Sequence, residues 1–190
     1  MLDKSIPYFN IVMHRKPDIA IPHYSIPEGY SIVNFSKGDE NSWVEIETSV
    51  GEFDSISDSL EYFENNYLSF PEEVERRTIF IHSKHGEKVG TCTSWWNYTG
   101  IRRDLALEWI AVKPEYQGLG LGKVLVYEGI KRMIDIEGNR DIFLHTQTWS
   151  YRAVGIYLKA GFEFLKTGTF SRYDNDYEKA IPYIKEKLKI

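Results

Sequence analysis

The sequence has little of what marks secreted or membrane-spanning proteins. It contains a single cysteine, Cys92, so no intramolecular disulfide can support the fold, as suits a reducing compartment. Its apolar runs fall far short of the roughly 20 residues that a membrane helix needs. An acid at position 3 and prolines at positions 7 and 17 interrupt the segment where a signal peptide requires a continuous apolar region. We therefore expect a cytoplasmic protein with no membrane partner.

Acidic residues outnumber basic ones, 28 to 23, and the formal net charge is -5. This balance argues against a nucleic-acid partner, because phosphate binding depends on clustered Lys and Arg. Residues 38–75 contain twelve acids and no Lys, Arg or His. Two interpretations stay open: the acids form solvated outer faces of helices, or they create a field that attracts a cation.

The 190 residues, 42% of them hydrophobic, are enough for a sizeable core. Residues 1–28 contain four prolines and no clear periodicity, which predicts an extended N-terminal arm. Residues 29–190 are then expected to form one domain.

Hydrophobic periodicity predicts the elements of this domain. Strands are expected over residues 30–35, 78–83, 88–97, 105–112 and 142–146, and helices over 39–50, 57–67, 120–137 and 151–160. Pro71 is predicted to close the first helical region. Ser150 is predicted to cap the helix over residues 151–160. One or two more strands and a basic C-terminal helix are expected after residue 162. A strand-helix-strand unit in the middle of this order favours a mixed sheet with helices on both sides.

Residues 114–125, PEYQGLGLGKVL, contain three glycines just before a helical pattern. A Walker loop is disfavoured because Lys123 is followed by Val124, which has no hydroxyl for magnesium. A dinucleotide fingerprint is disfavoured because the spacing is G-x-G-x-G and the next strand does not end in an acid. A helix start that binds an anion, such as a pyrophosphate, and an ordinary helix entry with packed glycines both stay open.

Two flanking motifs resemble those of the GCN5-related N-acetyltransferase family. The first, LEWIAVKPEYQGLGLGK, contains the family's Q/R-x-x-G-x-G/A core at Gln117, Gly120 and Gly122. The second, SYRAVGIYLKAGF, matches N-x-x-A-x-x-x-Y-x-x-x-G-F at Ala153, Tyr157, Gly161 and Phe162. The resemblance covers about residues 105 to 165. It implies the acyl-CoA N-acyltransferase fold: an α/β fold whose mixed, mostly antiparallel central sheet contains a splayed parallel strand pair.

The resemblance also implies acetyl-CoA as co-substrate and no metal. The pyrophosphate of acetyl-CoA is expected to bind the backbone amides of Gln117, Gly118, Leu119, Gly120, Leu121, Gly122 and Lys123. Its pantetheine arm is expected along the backbone of Ile110, Ala111 and Val112. Ser150 stands where the family usually has Asn; it can still donate one hydrogen bond but reaches less far.

Direct attack of a primary amine on the thioester is the implied reaction. Tyr157 matches the family's usual general acid for the departing thiolate, although an aromatic residue on the core face of a helix is the structural alternative. Glu108 is the candidate base, because strand alternation places it on one face with Ile110 and Val112. Asp104, His145 and Tyr98 are weaker candidates for the base.

In this family the first two helices commonly border the acceptor cleft, and here they lie in the acidic segment of residues 38–75. The acceptor is therefore expected to be a small or cationic amine. Trp95, Trp96 and Trp149 either line that cleft or pack in the sheet. A non-catalytic acyl-CoA-binding sensor and transfer of a different acyl group are the alternatives. Homodimer formation, common among relatives, stays open.

Overall fold

A computed structural model describes residues 2–190. Its strands are β1 (Asn10–Arg15), β2 (Tyr30–Asn34), β3 (Thr78–Ser83), β4 (Lys88–Thr99), β5 (Arg102–Val112), β6 (Ile142–Gln147) and β7 (Glu163–Phe164). Its α-helices are α1 (Glu40–Val50), α2 (Ile56–Asn66), α3 (Pro71–Arg77), α4 (Leu121–Glu137), α5 (Tyr151–Lys159) and α6 (Tyr177–Leu188). The strands form one seven-stranded sheet in the order β2-β3-β4-β5-β6-β1-β7. The sheet is mostly antiparallel with one parallel pair, which confirms the predicted fold class.

The predicted elements agree with the structure within a few residues, with two additions. Residues 10–15 lie in the segment predicted as an extended arm, and they form β1, which pairs with both β6 and β7. Pro71 begins α3 at the first helical position instead of only closing the region before it. The missing N–H of proline costs nothing there, because the first N–H groups of a helix have no intrahelical partner. The cap of α2 is Ser55, two residues before the predicted start.

The chain divides into two compact units. The first contains residues 24–94 and 109–129. In it β2 and β3 pair antiparallel from Tyr30↔Ser83 to Asn34↔Ile79, and β3 continues antiparallel to β4. Trp43 of α1 is fully buried and contacts the rings of five neighbours. These rings belong to Phe53, Tyr62, Phe63, Tyr67 and Trp109.

The second unit contains residues 2–23, 95–108 and 130–190. Here β1 runs antiparallel to β6 from Asn10↔Gln147 to Arg15↔Ile142. The parallel pair joins β5 to β6 at Leu105↔Ile142 and Ala106↔Phe143. The buried Arg15 holds two carbonyls of this unit, because its Nε donates to Ala160 O at 2.9 Å and its Nη2 donates to Ile19 O. Within residues 2–190, no helix combines the length and apolar character that crossing a membrane requires.

Glu47 of α1 is an acid inside the first unit. Its side chain is 1% exposed, and its Oε1 has no hydrogen-bond partner among the described residues. Burial raises the pKa of Glu47 well above its usual value, and the nearby charge of Glu52 raises it further. The folded protein therefore keeps a proton on Glu47 at pH values where the unfolded chain has lost it.

This raised pKa makes a stability prediction. The contribution of Glu47 is complete below the unfolded pKa of about 4.5 and is lost as the pH rises, because ionisation then favours the unfolded chain. In Glu47→Gln the side chain stays neutral at every pH. The free energy of unfolding of the variant, measured by urea titration, should therefore improve relative to wild type between pH 4 and pH 8. A difference that does not change with pH would contradict a neutral Glu47; Glu64→Gln reports the effect of removing an exposed charge from the same unit.

Candidate active site

The glycine loop between β5 and α4 has an unusual backbone. Gly118 and Gly120 both have φ of +83°, in the left-handed region that side chains with a Cβ adopt at a cost. A Cβ built on either residue would meet no heavy atom within 4 Å. Packing therefore does not explain these glycines. The open space beside the backbone fits a loop that a ligand approaches closely.

The loop is anchored within its own unit. Gln117 Nε2 donates to Val112 O at 2.8 Å, which ties the loop back to the end of β5. On the preceding turn, Lys113 Nζ and Tyr116 Oη both lie 2.8 Å from the carboxylate of Glu87. These hydrogen bonds lower the pKa of Glu87, so its carboxylate is charged at neutral pH. The predicted cradle is thus held by side chains that the motif alone does not identify.

The predicted amide donors of the cradle are not equivalent. The N–H of Gln117 donates to Pro114 O at 3.2 Å, and the N–H of Lys123 donates to Gly120 O at 3.1 Å. Gly120 O also accepts from Val124 N at 3.2 Å, the first hydrogen bond of a full helical turn. α4 begins at Leu121, so the amides of Leu121 and Gly122 lie where a helix start leaves its donors unpaired, and those of residues 118–120 belong to the loop before it.

Trp109 interrupts β5. Its φ is +49°, an outlier for a bulky residue, and its ring contacts Phe53 at 5.2 Å and Tyr62 at 4.9 Å between centroids. A left-handed residue breaks the pleat, so the period-two alternation of a strand does not extend across it. The predicted alternation, with Glu108 on one face with Ile110 and Val112, is therefore wrong. Of the predicted pantetheine-binding residues, Ala111 and Val112 are buried and Ile110 is partly buried.

Glu108 is partly buried in the second unit and accepts a hydrogen bond from Asn97 Nδ2 of β4. A carboxylate can accept several hydrogen bonds and can take up a proton, and Asn97 supplies one of the donors to Glu108.

Tyr157 and Ser150 also belong to the second unit. Tyr157 lies on α5, is 7% exposed, and meets the ring of Phe162 edge-on at 6.1 Å between centroids. Ser150 precedes α5, but its side chain makes no capping hydrogen bond, so the predicted cap is wrong. The reason is local: residues 148–150 already form a 3-10 turn, and the φ of -95° and ψ of 27° at Ser150 differ from the extended backbone of a capping serine.

The weaker base candidates differ in what surrounds them. Asp104 is buried and accepts from Arg102 Nε at 2.6 Å and from Thr99 Oγ1 at 2.5 Å, as expected of a structural carboxylate. Tyr98 is exposed. His145 of β6 has a ring nitrogen 2.9 Å from Asn10 Oδ1, and burial lowers its pKa to about 4.

The tryptophans proposed for an acceptor cleft have packing partners. Trp95 and Trp96 stack at 4.3 Å between centroids, and the guanidinium of Arg103 lies over Trp96. Trp149 Nε1 donates to Ile6 O at 2.7 Å. In the acidic segment Trp43, Phe53 and Tyr62 instead cluster on Trp109. The four residues lie on α1, the turn after it, α2 and β5, so no single periodic pattern in the sequence signals the cluster.

The twelve acids of residues 38–75 differ in exposure. Eight are exposed: Glu45, Glu52, Asp54, Asp58, Glu61, Glu64, Glu72 and Glu75. Asp39, Glu40 and Glu73 are partly buried, and Glu47 is buried. Asp39 pairs with Lys88, Glu73 pairs with Arg76 and Arg77, and the exposed Glu45 lies 3.6 Å from Lys113. Most of this charge is therefore a solvated face, partly compensated by basic residues. Within residues 2–190, no group of three or more His, Cys, Asp or Glu is arranged to hold a metal ion.

Comparison with known proteins identifies the class. The model of the acetyltransferase (GNAT) family matches residues 41–162, more than half of the chain. The chain belongs to this family, which confirms the resemblance found in its two motifs.

Individual relatives match over limited stretches. The mycothiol acetyltransferase of Paenarthrobacter aurescens (strain TC1) is 43% identical over 53 residues, which is 28% of this chain and 16% of that protein. A GCN5-related N-acetyltransferase from Sphaerobacter thermophilus superposes with a TM-score of 0.63 at 23% identity, over 82% of this chain and 48% of that one. Glucosamine-6-phosphate N-acetyltransferase from Arabidopsis thaliana gives 0.56 at 17% identity, over 78% of this chain and 100% of that one. This chain spans less than half of the first two proteins, and the structural likenesses establish the fold.

The environment of His145 predicts its titration. With a folded pKa of about 4 against an ordinary 6.5, the unfolded chain binds a proton that the folded protein refuses, so stability is lost as the pH falls from about 6.5 to about 4. In an NMR titration, the imidazole C–H resonance that disappears in His145→Gln should move only near pH 4. The same variant should lose less stability over this pH range than wild type. A midpoint near 6.5 would show that the ring is not held neutral by burial.

Proposed function

We propose that the chain is an acetyl-CoA-dependent N-acetyltransferase that moves an acetyl group to a primary amine. The observation that carries the proposal is the family match over residues 41–162 together with the open glycine loop. A side chain at Gly118 or Gly120 would fill space beside exposed backbone, and the family uses this segment for its co-substrate. The residues present therefore fit acetyl-CoA.

The chain's part in binding starts at the glycine loop. The amides of residues 118–122, at the positive end of the α4 dipole, attract the pyrophosphate. The backbone of residues 110–112 offers N–H and C=O groups to the amides of the pantetheine arm, in the way that an extended peptide adds to a strand. Ser150 is free of a capping role and so keeps its hydroxyl for a polar contact.

Acetyl transfer from an alkylammonium requires three proton movements. The ammonium, with a pKa of about 10, must lose a proton before its nitrogen can attack the thioester carbon. Glu108 accepts this proton, directly or through water, and passes it to solvent, while Asn97 orients the carboxylate. As the C–N bond forms, Glu108 takes a second proton from the nitrogen; the C–S bond breaks, Tyr157 protonates the departing sulfur, and the proton on Glu108 restores the phenol through solvent. Tyr157 is proposed for this step because it is a buried phenol at the position of the family's usual general acid.

The acceptor is a small amine that carries positive charge in solution. The exposed acids of α1 and α2 favour the approach of a cation over an anion through the long-range field. Because most of them are solvated, they increase the rate of encounter more than they determine the bound position.

Replacing Gly120 with Leu should greatly weaken acetyl-CoA binding. Leu would place a side chain in the open space beside the loop and would also strain a backbone with φ of +83°. Gly51→Leu is the matched control, because Gly51 has φ of +85° and an equally open surround but lies at the end of α1. Isothermal titration calorimetry should show a loss of about tenfold or more in affinity for Gly120→Leu and little change for Gly51→Leu. Circular dichroism verifies that both variants fold. Normal binding by Gly120→Leu would return the loop to an ordinary helix entry.

Acetyl transfer itself is tested by releasing free thiol from acetyl-CoA in the presence of a panel of primary amines. Tyr157→Phe should lower kcat by about 100-fold or more, the usual effect of removing a general acid, and leave the affinity for acetyl-CoA within about twofold. Equal turnover would exclude Tyr157 from the mechanism. Tight acetyl-CoA binding with no thiol release for any amine would instead favour a binding module.

A further inference from the structure

The parallel pairing of β5 and β6 brings two polar residues to the same level of the second unit. The last recorded pair is Ala106↔Phe143. Two residues further along each strand lie Glu108 and His145. In parallel strands, residues at the same register point to the same face of the sheet. Glu108 and His145 therefore share a face, just beyond the point where the recorded pairing ends.

Packing identifies that face independently. Ala106, Val12 and Phe170 form a buried cluster against which Phe143 and Tyr173 pack. Tyr173 also stacks on His145 at 4.0 Å between centroids with an interplanar angle of 6°. Along β5 and β6 this face is apolar up to Ala106 and Phe143. The next residue on the face of each strand is polar, Glu108 on β5 and His145 on β6. Small-molecule sites are lined mostly by apolar side chains together with a few placed polar groups.

The contacts of His145 fix which of its nitrogens carries the proton. Its Nε2 lies 2.9 Å from Asn10 Oδ1, which also accepts a hydrogen bond from Tyr8 Oη at 3.1 Å. An amide oxygen only accepts, so Nε2 is the donor and carries the hydrogen. Asn10 is itself held, because its N–H donates to Asp176 Oδ2 at 3.2 Å and its carbonyl accepts from Asp176 N at 3.0 Å.

The other nitrogen of the ring, Nδ1, is then an unprotonated acceptor. The structure records no hydrogen bond to it from any of residues 2–190. Burial keeps the ring neutral at physiological pH, because the lowered pKa prevents the imidazolium from forming. Stacking on Tyr173 limits rotation of the ring, so the lone pair has a defined direction.

We propose that His145 is a specificity-determining residue for the acceptor: its Nδ1 accepts a hydrogen bond from the amine N–H beside Glu108, with Asn10 fixing the tautomer. This inference rests on the proposed function. The proton balance is simple, since Glu108 takes one hydrogen of the neutral amine during attack and His145 receives no proton. It only orients the second N–H.

This arrangement selects the chemical class of the acceptor. A neutral primary amine has two N–H hydrogens, one for Glu108 and one for His145. A secondary amine or a hydroxyl has one, which Glu108 must remove, so Nδ1 would face it without a partner. An unmade hydrogen bond at a partly buried acceptor costs binding energy. The site should therefore prefer a primary amine over the N-methyl form of the same molecule.

The test uses two substitutions with different hydrogen-bonding atoms. His145→Gln keeps a donor for Asn10 and removes the acceptor at the Nδ1 position, whereas His145→Asn keeps an acceptor near Nδ1. With the best primary amine of the panel, His145→Gln should raise the acceptor KM about three- to tenfold, the loss expected for one neutral hydrogen bond. The KM for acetyl-CoA should not change, and His145→Asn should recover part of the loss. The ratio of kcat/KM for the primary amine over its N-methyl form should fall in His145→Gln by a similar factor.

His14→Gln is the matched control, because His14 also stacks on an aromatic ring of this unit, Phe143 at 4.8 Å, and bonds Asp141. It should leave the amine preference unchanged. Long-range nitrogen-proton NMR of the wild-type protein should show His145 protonated at Nε2 alone. An Nδ1–H tautomer, or an unchanged acceptor KM and amine preference in His145→Gln, would overturn the role of His145 while thiol release by wild type continues. Absence of thiol release from wild type with every amine would overturn the proposed function itself.

Discussion

The short parallel pairing between β5 and β6 is the constraint on which the second unit depends. It joins Leu105 to Ile142 and Ala106 to Phe143, while β6 stays paired with β1 along its whole length. Because β1 holds β6 in place, the register of these two pairs alone determines which residues of β5 lie level with it. Glu108 and His145 owe their common face to this register. A slip by one residue would turn one of them to the opposite face.

Burial controls the charge state of two ionisable groups in opposite directions. It raises the pKa of the acid Glu47 and lowers the pKa of the base His145, so at both positions it favours the neutral form. The two side chains differ in their hydrogen bonding. Nε2 of His145 is hydrogen-bonded to Asn10, and we propose Nδ1 as an acceptor for the amine, whereas Oε1 of Glu47 has no hydrogen-bond partner among the described residues.

Local sequence pattern predicted most of the elements, because period-two and helical spacing depend on neighbouring residues. The glycine and tyrosine motifs also identified the family. β1 was missed because six residues between prolines carry too little pattern, and α3 because a proline can either end a region or begin a helix. Nothing local signals the left-handed Trp109 within a continuous strand pattern. The hydrogen bond of His145 to Asn10 spans 135 residues, so only the folded sheet brings the two together.

Charge and hydrogen bonding divide the recognition of an acceptor between them. The acids of residues 38–75 are mostly solvated, and Asp39, Glu45 and Glu73 pair with Lys88, Lys113 and Arg77, so their field is diffuse and weakened by salt. Such a field distinguishes cations from anions but not one amine from another. Discrimination between amines requires groups at fixed positions, each of which binds one N–H hydrogen of the amine. We propose Glu108 and His145 of the second unit for this role, because each is held by the side-chain amide of an Asn on a neighbouring strand, Asn97 and Asn10.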